Sequence, residues 1–204
     1  LYNASTGKIK AFASSDQSGL SNDYVLALRE DSKGRLWAGT YKGGLNKLQN
    51  GKWSHYLQES QAAGNDVRAI FEDTSTNIWV GTNRGGLYKY DEAKDAFEYV
   101  EILGKRDIRA IAQDKQGNFW MATYGDGILK YNPITRQYVF YNSQRLKGLP
   151  SDIFFSLILL NDHDLLAGSR FGGLVHFDTR KMSFDVINEE EEKNNSTNKP
   201  SSEW

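Results

Sequence analysis

Short apolar runs and polar turns follow one another along this chain in an order that recurs four times. Val25–Glu30 (VLALRE), Val67–Glu72 (VRAIFE), Ile108–Gln113 (IRAIAQ) and Phe154–Leu159 (FFSLIL) are six-residue, mostly apolar runs. That pattern predicts short strands covered on both faces. A polar turn such as Ser32-Lys33-Gly34 or Lys115-Gln116-Gly117 comes next, its Gly suited to the positive φ of a tight hairpin. The second run is LWAGT, IWVGT, FWMAT or LLAGS. It leads to a turn carrying Gly43-Gly44, Gly85-Gly86, Gly125-Asp126-Gly127 or Gly172-Gly173. A third run, exemplified by Leu87–Tyr90 (LYKY), and a fourth centred on Trp53, Phe97, Tyr138 or Phe184 complete each unit. Helical periodicity is absent. The three Pro residues, Pro133, Pro150 and Pro200, fall in turns and connections.

The period is set by Trp37, Trp79, Trp120 and Leu166, which are 42, 41 and 46 residues apart. A repeat of roughly 40–45 residues with several short strands per unit predicts a propeller. One four-stranded sheet cannot bury both of its faces, whereas sheets stacked around an axis can. The expected fold is therefore all-β: a β-propeller of four-stranded antiparallel blades. The second-strand Trp residues are expected to fill the space between neighbouring blades. The paired glycines serve the backbone, since no GxGxxG or GxxxxGK pattern opens a helix.

The blades are expected at about 24–56, 66–100, 107–141 and 153–187. A half blade at 1–12 precedes them, because Leu1–Phe12 aligns without gaps to Lys89–Val100 and Lys130–Tyr141. Residues 188–204 form an acidic and polar connection leading into a further blade, because Ser202-Glu203-Trp204 matches Ser151-Asp152-Ile153. About four and a half blades are thus present in 1–187. Propellers close with about 4–8 blades, so the chain is expected to be part of a larger ring.

Composition narrows the partners. The net charge of −1 provides no basic field for nucleic acid. The absence of Cys excludes disulfides and thiolate metal sites without fixing a compartment. No apolar run reaches 18 residues, so no membrane contact is expected of this stretch. The aromatic content of 13% suits a β-rich fold.

The pattern V-x-A-I-x-x-D-x-x-G-x-L-W-x-G-T-x-x-G-G-L, best kept in Val67–Leu87 and Val25–Leu45, resembles the regulator-propeller repeats of two-component sensors. The resemblance covers residues 1–187 in four copies. The third copy departs from it at Ala122 and Asp126, and the fourth lacks both the Asp and the Trp. In hybrid two-component sensors of Bacteroides-type bacteria such repeats build seven-bladed propellers. Those propellers form the periplasmic sensing region, ahead of an immunoglobulin-like domain, a membrane span and a histidine kinase. The resemblance thus implies a periplasmic, non-catalytic sensor that recognises an oligosaccharide and needs no cofactor. Its other partners would be the remaining blades, neighbouring domains and a second copy in a homodimer.

Function has to be argued from a site rather than from a fold. The loop joining second to third strands varies from blade to blade inside a constant frame. It carries Tyr41 and Lys42, then Asn83 and Arg84, then Tyr124 and Asp126, then Arg170 and Phe171. A constant scaffold with varied tips is how rigid folds carry recognition. Aromatic rings suit the apolar face of a sugar, and Arg or Lys suits sulfate or uronate groups, so anionic saccharides are included among the expected ligands. Arg68, Arg106 and Arg109, near the first strands, extend this candidate set. The competing expectation is that they pair with Asp66, Asp107 or Glu72. Asp31, Asp73 and Asp114 precede hairpin turns and are expected to cap backbone N–H groups.

Catalysis has weaker support. His55, His163 and His176 share no position in the repeat, and HExxH, G-x-S-x-G and Cys nucleophiles are absent. Two alternatives to a sensor remain: a scaffold for protein–protein interaction or dimerisation, and a propeller-type polysaccharide or lactone lyase.

Overall fold

The computed structural model describes residues 2–3, 5–14, 19–58 and 65–187. The acidic connection expected at 188–204 lies outside the described residues. Strands β1 (Tyr2–Asn3) and β2 (Lys8–Ile9) pair antiparallel as a small hairpin. Four four-stranded antiparallel sheets follow, with sequential strands as neighbours. The first contains β3 (Val25–Glu30), β4 (Leu36–Thr40), β5 (Gly44–Gln49) and β6 (Lys52–Tyr56). The second contains β7 (Val67–Glu72), β8 (Ile78–Thr82), β9 (Gly86–Asp91) and β10 (Ala96–Tyr99). In the third are β11 (Ile108–Gln113), β12 (Phe119–Thr123), β13 (Ile128–Tyr131) and β14 (Tyr138–Tyr141). The fourth is made of β15 (Phe154–Leu159), β16 (Asp164–Ser169), β17 (Leu174–Asp178) and β18 (Ser183–Ile187). These are propeller blades, and the fold is all-β.

Two compact units divide the chain, residues 1–111 and 112–204, and strand β11 straddles the division. In the first unit Trp37, Leu45, Val67, Ile78, Val80 and Tyr90 form a buried cluster shared by the first two blades. The Trp37 ring meets Tyr90 and Phe97 of the second blade edge-on, at 5.1 and 5.9 Å between centroids. The second-strand Trp therefore fills the space between neighbouring sheets. Gly39 is needed beside it, because a Cβ there would stand 2.6 Å from Cγ1 of Val67 and 2.8 Å from its carbonyl oxygen. In the second unit Phe119, Met121, Ile128, Leu129, Phe154 and Leu165 are fully buried, and Tyr124 bridges to Ile153 at the entry of the fourth blade.

The repeated Asp and Trp are one device. The Asp31 carboxylate accepts bonds from the Lys33 and Arg35 backbone N–H groups, and its second oxygen accepts the Trp37 indole N–H at 2.7 Å. Asp73 does the same for Ser75, Asn77 and Trp79, and Asp114 for Asn118 and Trp120. Burial works to raise the Asp31 carboxyl, and the Trp37 and Arg35 bonds outweigh it, holding the group below its ordinary value. The fourth blade replaces both partners, with Leu160 for the Asp and Leu166 for the Trp. Its turn is capped by Asn161, whose side chain accepts from the His163 and Asp164 N–H groups.

The first two blades are also joined by ions. Lys47 is buried over the rings of Trp37, Tyr56 and Tyr90 at 5.2–5.7 Å. Its ammonium donates to Asp95 at 2.6 Å and to the Tyr90 hydroxyl at 3.0 Å. Burying an ammonium is costly unless it is paired, and here an acid and aromatic faces compensate it.

Candidate functional site

The loops between second and third strands are shaped by two recurrent elements. A hydroxyl at the end of the second strand reaches across the loop: Thr40 donates to the Gly44 carbonyl, Thr82 to Gly86, Thr123 to Gly127 and Ser169 to Gly173, at 2.7–3.0 Å. The backbone then turns through left-handed geometry. Lys42, Arg84 and Phe171 have φ of 55°, 57° and 67° at the same loop position, and Gly125 fills it in the third blade. A left-handed conformation costs a side-chain-bearing residue roughly 1–2 kcal/mol. Three blades therefore hold a large side chain at a position the backbone would give to glycine, and all three of these side chains are exposed.

In the first unit the structure gathers several of the sequence-predicted residues around Asp66. This buried carboxylate accepts from the Lys42 backbone N–H at 2.8 Å, the Asn83 amide at 3.0 Å and the Arg68 guanidinium at 3.3 Å. Tyr41 stands beside Tyr24, with ring centroids 6.4 Å apart, and the Lys42 ammonium lies 5.1 Å from the Tyr41 ring. Arg109 is held by Asp107 at 2.6 Å. Arg68 and Arg109 are thus ion-paired with acids two residues before them, while Arg84 is exposed at its loop tip.

In the second unit the third and fourth blades present a compact group. The Arg170 guanidinium donates to the Tyr124 hydroxyl at 2.6 Å and lies 4.7 Å from the Phe171 ring centre. Phe155 flanks Tyr124, their centroids 6.0 Å apart. Phe171 is 91% exposed and Phe155 46% exposed, so the group offers aromatic faces and a cation to solvent. Asp126 is oriented from its backbone, its N–H donating to the Thr123 hydroxyl at 3.1 Å.

Tyr24, Phe155 and the hub role of Asp66 escape a sequence reading limited to the second-to-third-strand loops. Tyr24 and Phe155 belong to first strands or their edges. Asp66 reaches Lys42 across 24 residues of chain. Their signal was the loop geometry itself, in which the fourth-to-first connection runs beside the second-to-third-strand turn.

The histidines are placed elsewhere. His55 Nδ1 faces the Asn46 side-chain Oδ1 at 2.8 Å, and His176 Nε2 faces Asp164 at 3.0 Å. Among the described residues no three His, Asp or Glu side chains converge on a metal position. Among the same residues no helix is long and apolar enough to cross a membrane.

The model of the family "Two component regulator propeller" matches residues 19–42, 62–84 and 102–125. Each match spans a first strand, its hairpin and a second strand, ending in or just before the variable loop. The extracellular domain of the hybrid two component system BT3049 from B. thetaiotaomicron is 27% identical, with a TM-score of 0.74 over 83% of this chain and 25% of that one. The corresponding domain of BT4673 from the same organism is 26% identical, with a TM-score of 0.66 over 85% of this chain and 25% of that one. The chain therefore spans about a quarter of the length of these relatives. Virginiamycin B lyase from Staphylococcus aureus shares the fold at 14% identity, with a TM-score of 0.65 over 88% of this chain and 59% of that one. Among curated proteins none matches.

Proposed function

We propose that this chain, which matches the two-component regulator propeller model over residues 19–42, 62–84 and 102–125, belongs to the periplasmic sensor region of a two-component signalling protein and binds an oligosaccharide without turning it over. The observation that supports this reading best is the Tyr124–Arg170–Phe171 group on a repeated frame. Aromatic faces pack on the C–H side of a pyranose, and a guanidinium pairs with hydroxyl, carboxylate or sulfate oxygens. The extracellular origin of the similar domains favours a periplasmic placement.

Binding would signal by favouring one of two arrangements of the receptor, which requires unequal affinity for them. A histidine kinase in the remainder of the protein would read the change. Further blades and a second copy of the chain would be the protein partners.

Calorimetric titration with a panel of neutral and acidic oligosaccharides tests this reading. Saturable heat with one class and no cleavage products is the expected result. Silence across the panel would point to a protein-interaction scaffold, and turnover of any member to a lyase. Arg84→Ala and Tyr124→Ala are each expected to weaken binding by about 1–3 kcal/mol if those side chains touch the ligand.

A further inference from the structure

A second feature lies at the opposite ends of the strands, where the hairpins joining first to second and third to fourth strands turn. Lys47, Lys89 and Lys130 occupy one position of the repeat, each paired in register with the second-strand Trp. Their ammonium groups lie 5.7, 5.4 and 4.8 Å from the rings of Trp37, Trp79 and Trp120. Lys47 is neutralised by Asp95, which holds the left-handed position of its hairpin, with φ of 49°. The same hairpin position in the third and fourth blades is Arg136, with φ of 60°, and Met182, with φ of 58°. Neither is an acid, and among the described residues no carboxylate pairs with Lys130.

Lys130 instead lines an open groove of about 640 Å³ on the third blade, together with Arg136, Gln137, Tyr138, Asn118 and Asn132. Among the described residues the lining holds two cations and no Asp or Glu. The two asparagines are tied into the Trp120 turn: Asn118 donates to Asp114, and Asn132 donates to Asn118 at 2.9 Å. They give the groove a fixed wall, while the Arg136 guanidinium donates to the Tyr131 hydroxyl and Lys130 lies over the Trp120 ring. Tyr138, 43% exposed, adds an aromatic edge. A cleft lined by one sign of charge concentrates counter-ions, and a guanidinium beside an ammonium suits an oxyanion.

We propose that this groove is an oxyanion-binding site that takes a carboxylate, sulfate or phosphate group, with Lys130 and Arg136 supplying the charge. It is separate from the variable loops and does not depend on the sensor reading.

The Trp120 indole N–H is a built-in reporter, since Lys130 lies against its ring. The ¹⁵N-labelled full chain would be titrated with inorganic sulfate, inorganic phosphate and glucuronate against chloride at matched ionic strength, with Trp120→Phe assigning the resonance. A saturable shift of the Trp120 indole without a matching shift at Trp37 is expected with at least one anion. The anion that saturates at the lowest concentration identifies the preferred group. Lys130→Met should weaken the response at least tenfold, and Arg136→Gln, which leaves the Trp120 packing untouched, should weaken it as well. Absence of saturation with all three anions, an equal response at Trp37, or a response that survives both substitutions would overturn the proposal.

Discussion

Asp31, Asp73 and Asp114 each join a hairpin to a buried indole, so the Asp and the Trp of the repeat are energetically one unit. Replacing Asp73 with Leu leaves the Trp79 indole and the turn N–H groups without their acceptor and is expected to cost about 2–4 kcal/mol. Asp73→Leu combined with Trp79→Leu, the pairing the fourth blade already uses, is expected to cost at least about 1 kcal/mol less than the sum of the single changes. Urea unfolding of the four proteins measures that coupling, and strict additivity would show the two residues to be independent. Acid stability gives a second test. The Lys47 ammonium and the Tyr90 hydroxyl hold the Asp95 carboxyl down at about 2 against an ordinary 3.8, with burial opposing them. A depressed carboxyl contributes stability above its unfolded value and loses it as pH falls. Stability should therefore drop between about pH 4 and pH 2, and Asp95→Asn should flatten that part of the profile while lowering stability at neutral pH.

The loops show which features of a repeat are readable in advance. The Gly-Thr and Gly-Gly signals mark the turn in the sequence, and the structure adds the hydroxyl clamp and the left-handed residue between them. Arg84→Gly should remove that backbone cost, leaving thermal stability unchanged or raised by up to about 1 kcal/mol. Gly39→Ala should cost about 1–3 kcal/mol, since the added methyl meets the Val67 backbone as well as its side chain. Strand positions, the buried Trp and the Asp caps were legible because each follows from a local pattern repeated four times. The partners of the loop residues were not. Asp66 gathers Lys42 and Asn83 through folding of distant segments, whereas its pairing with Arg68, two residues on, was legible; Phe155 meets Tyr124 from a different blade. Lys47 and Asp95 were invisible for the same reason: they are 48 residues apart and belong to different blades.

Across the whole chain, the residues that recur hold the blades together, and the residues that vary lie at loop tips. Three of those tips, Lys42, Arg84 and Phe171, are exposed and held in a conformation that favours glycine. A chain carrying Lys42→Gly, Arg84→Gly and Phe171→Gly together separates folding from recognition. Its thermal midpoint and its affinity for the panel oligosaccharide that gives the largest heat with the unmodified chain should be measured side by side. The expected result is an equal or higher midpoint with affinity weakened at least tenfold. Unchanged affinity in a folded variant would contradict the assignment of recognition to these loops.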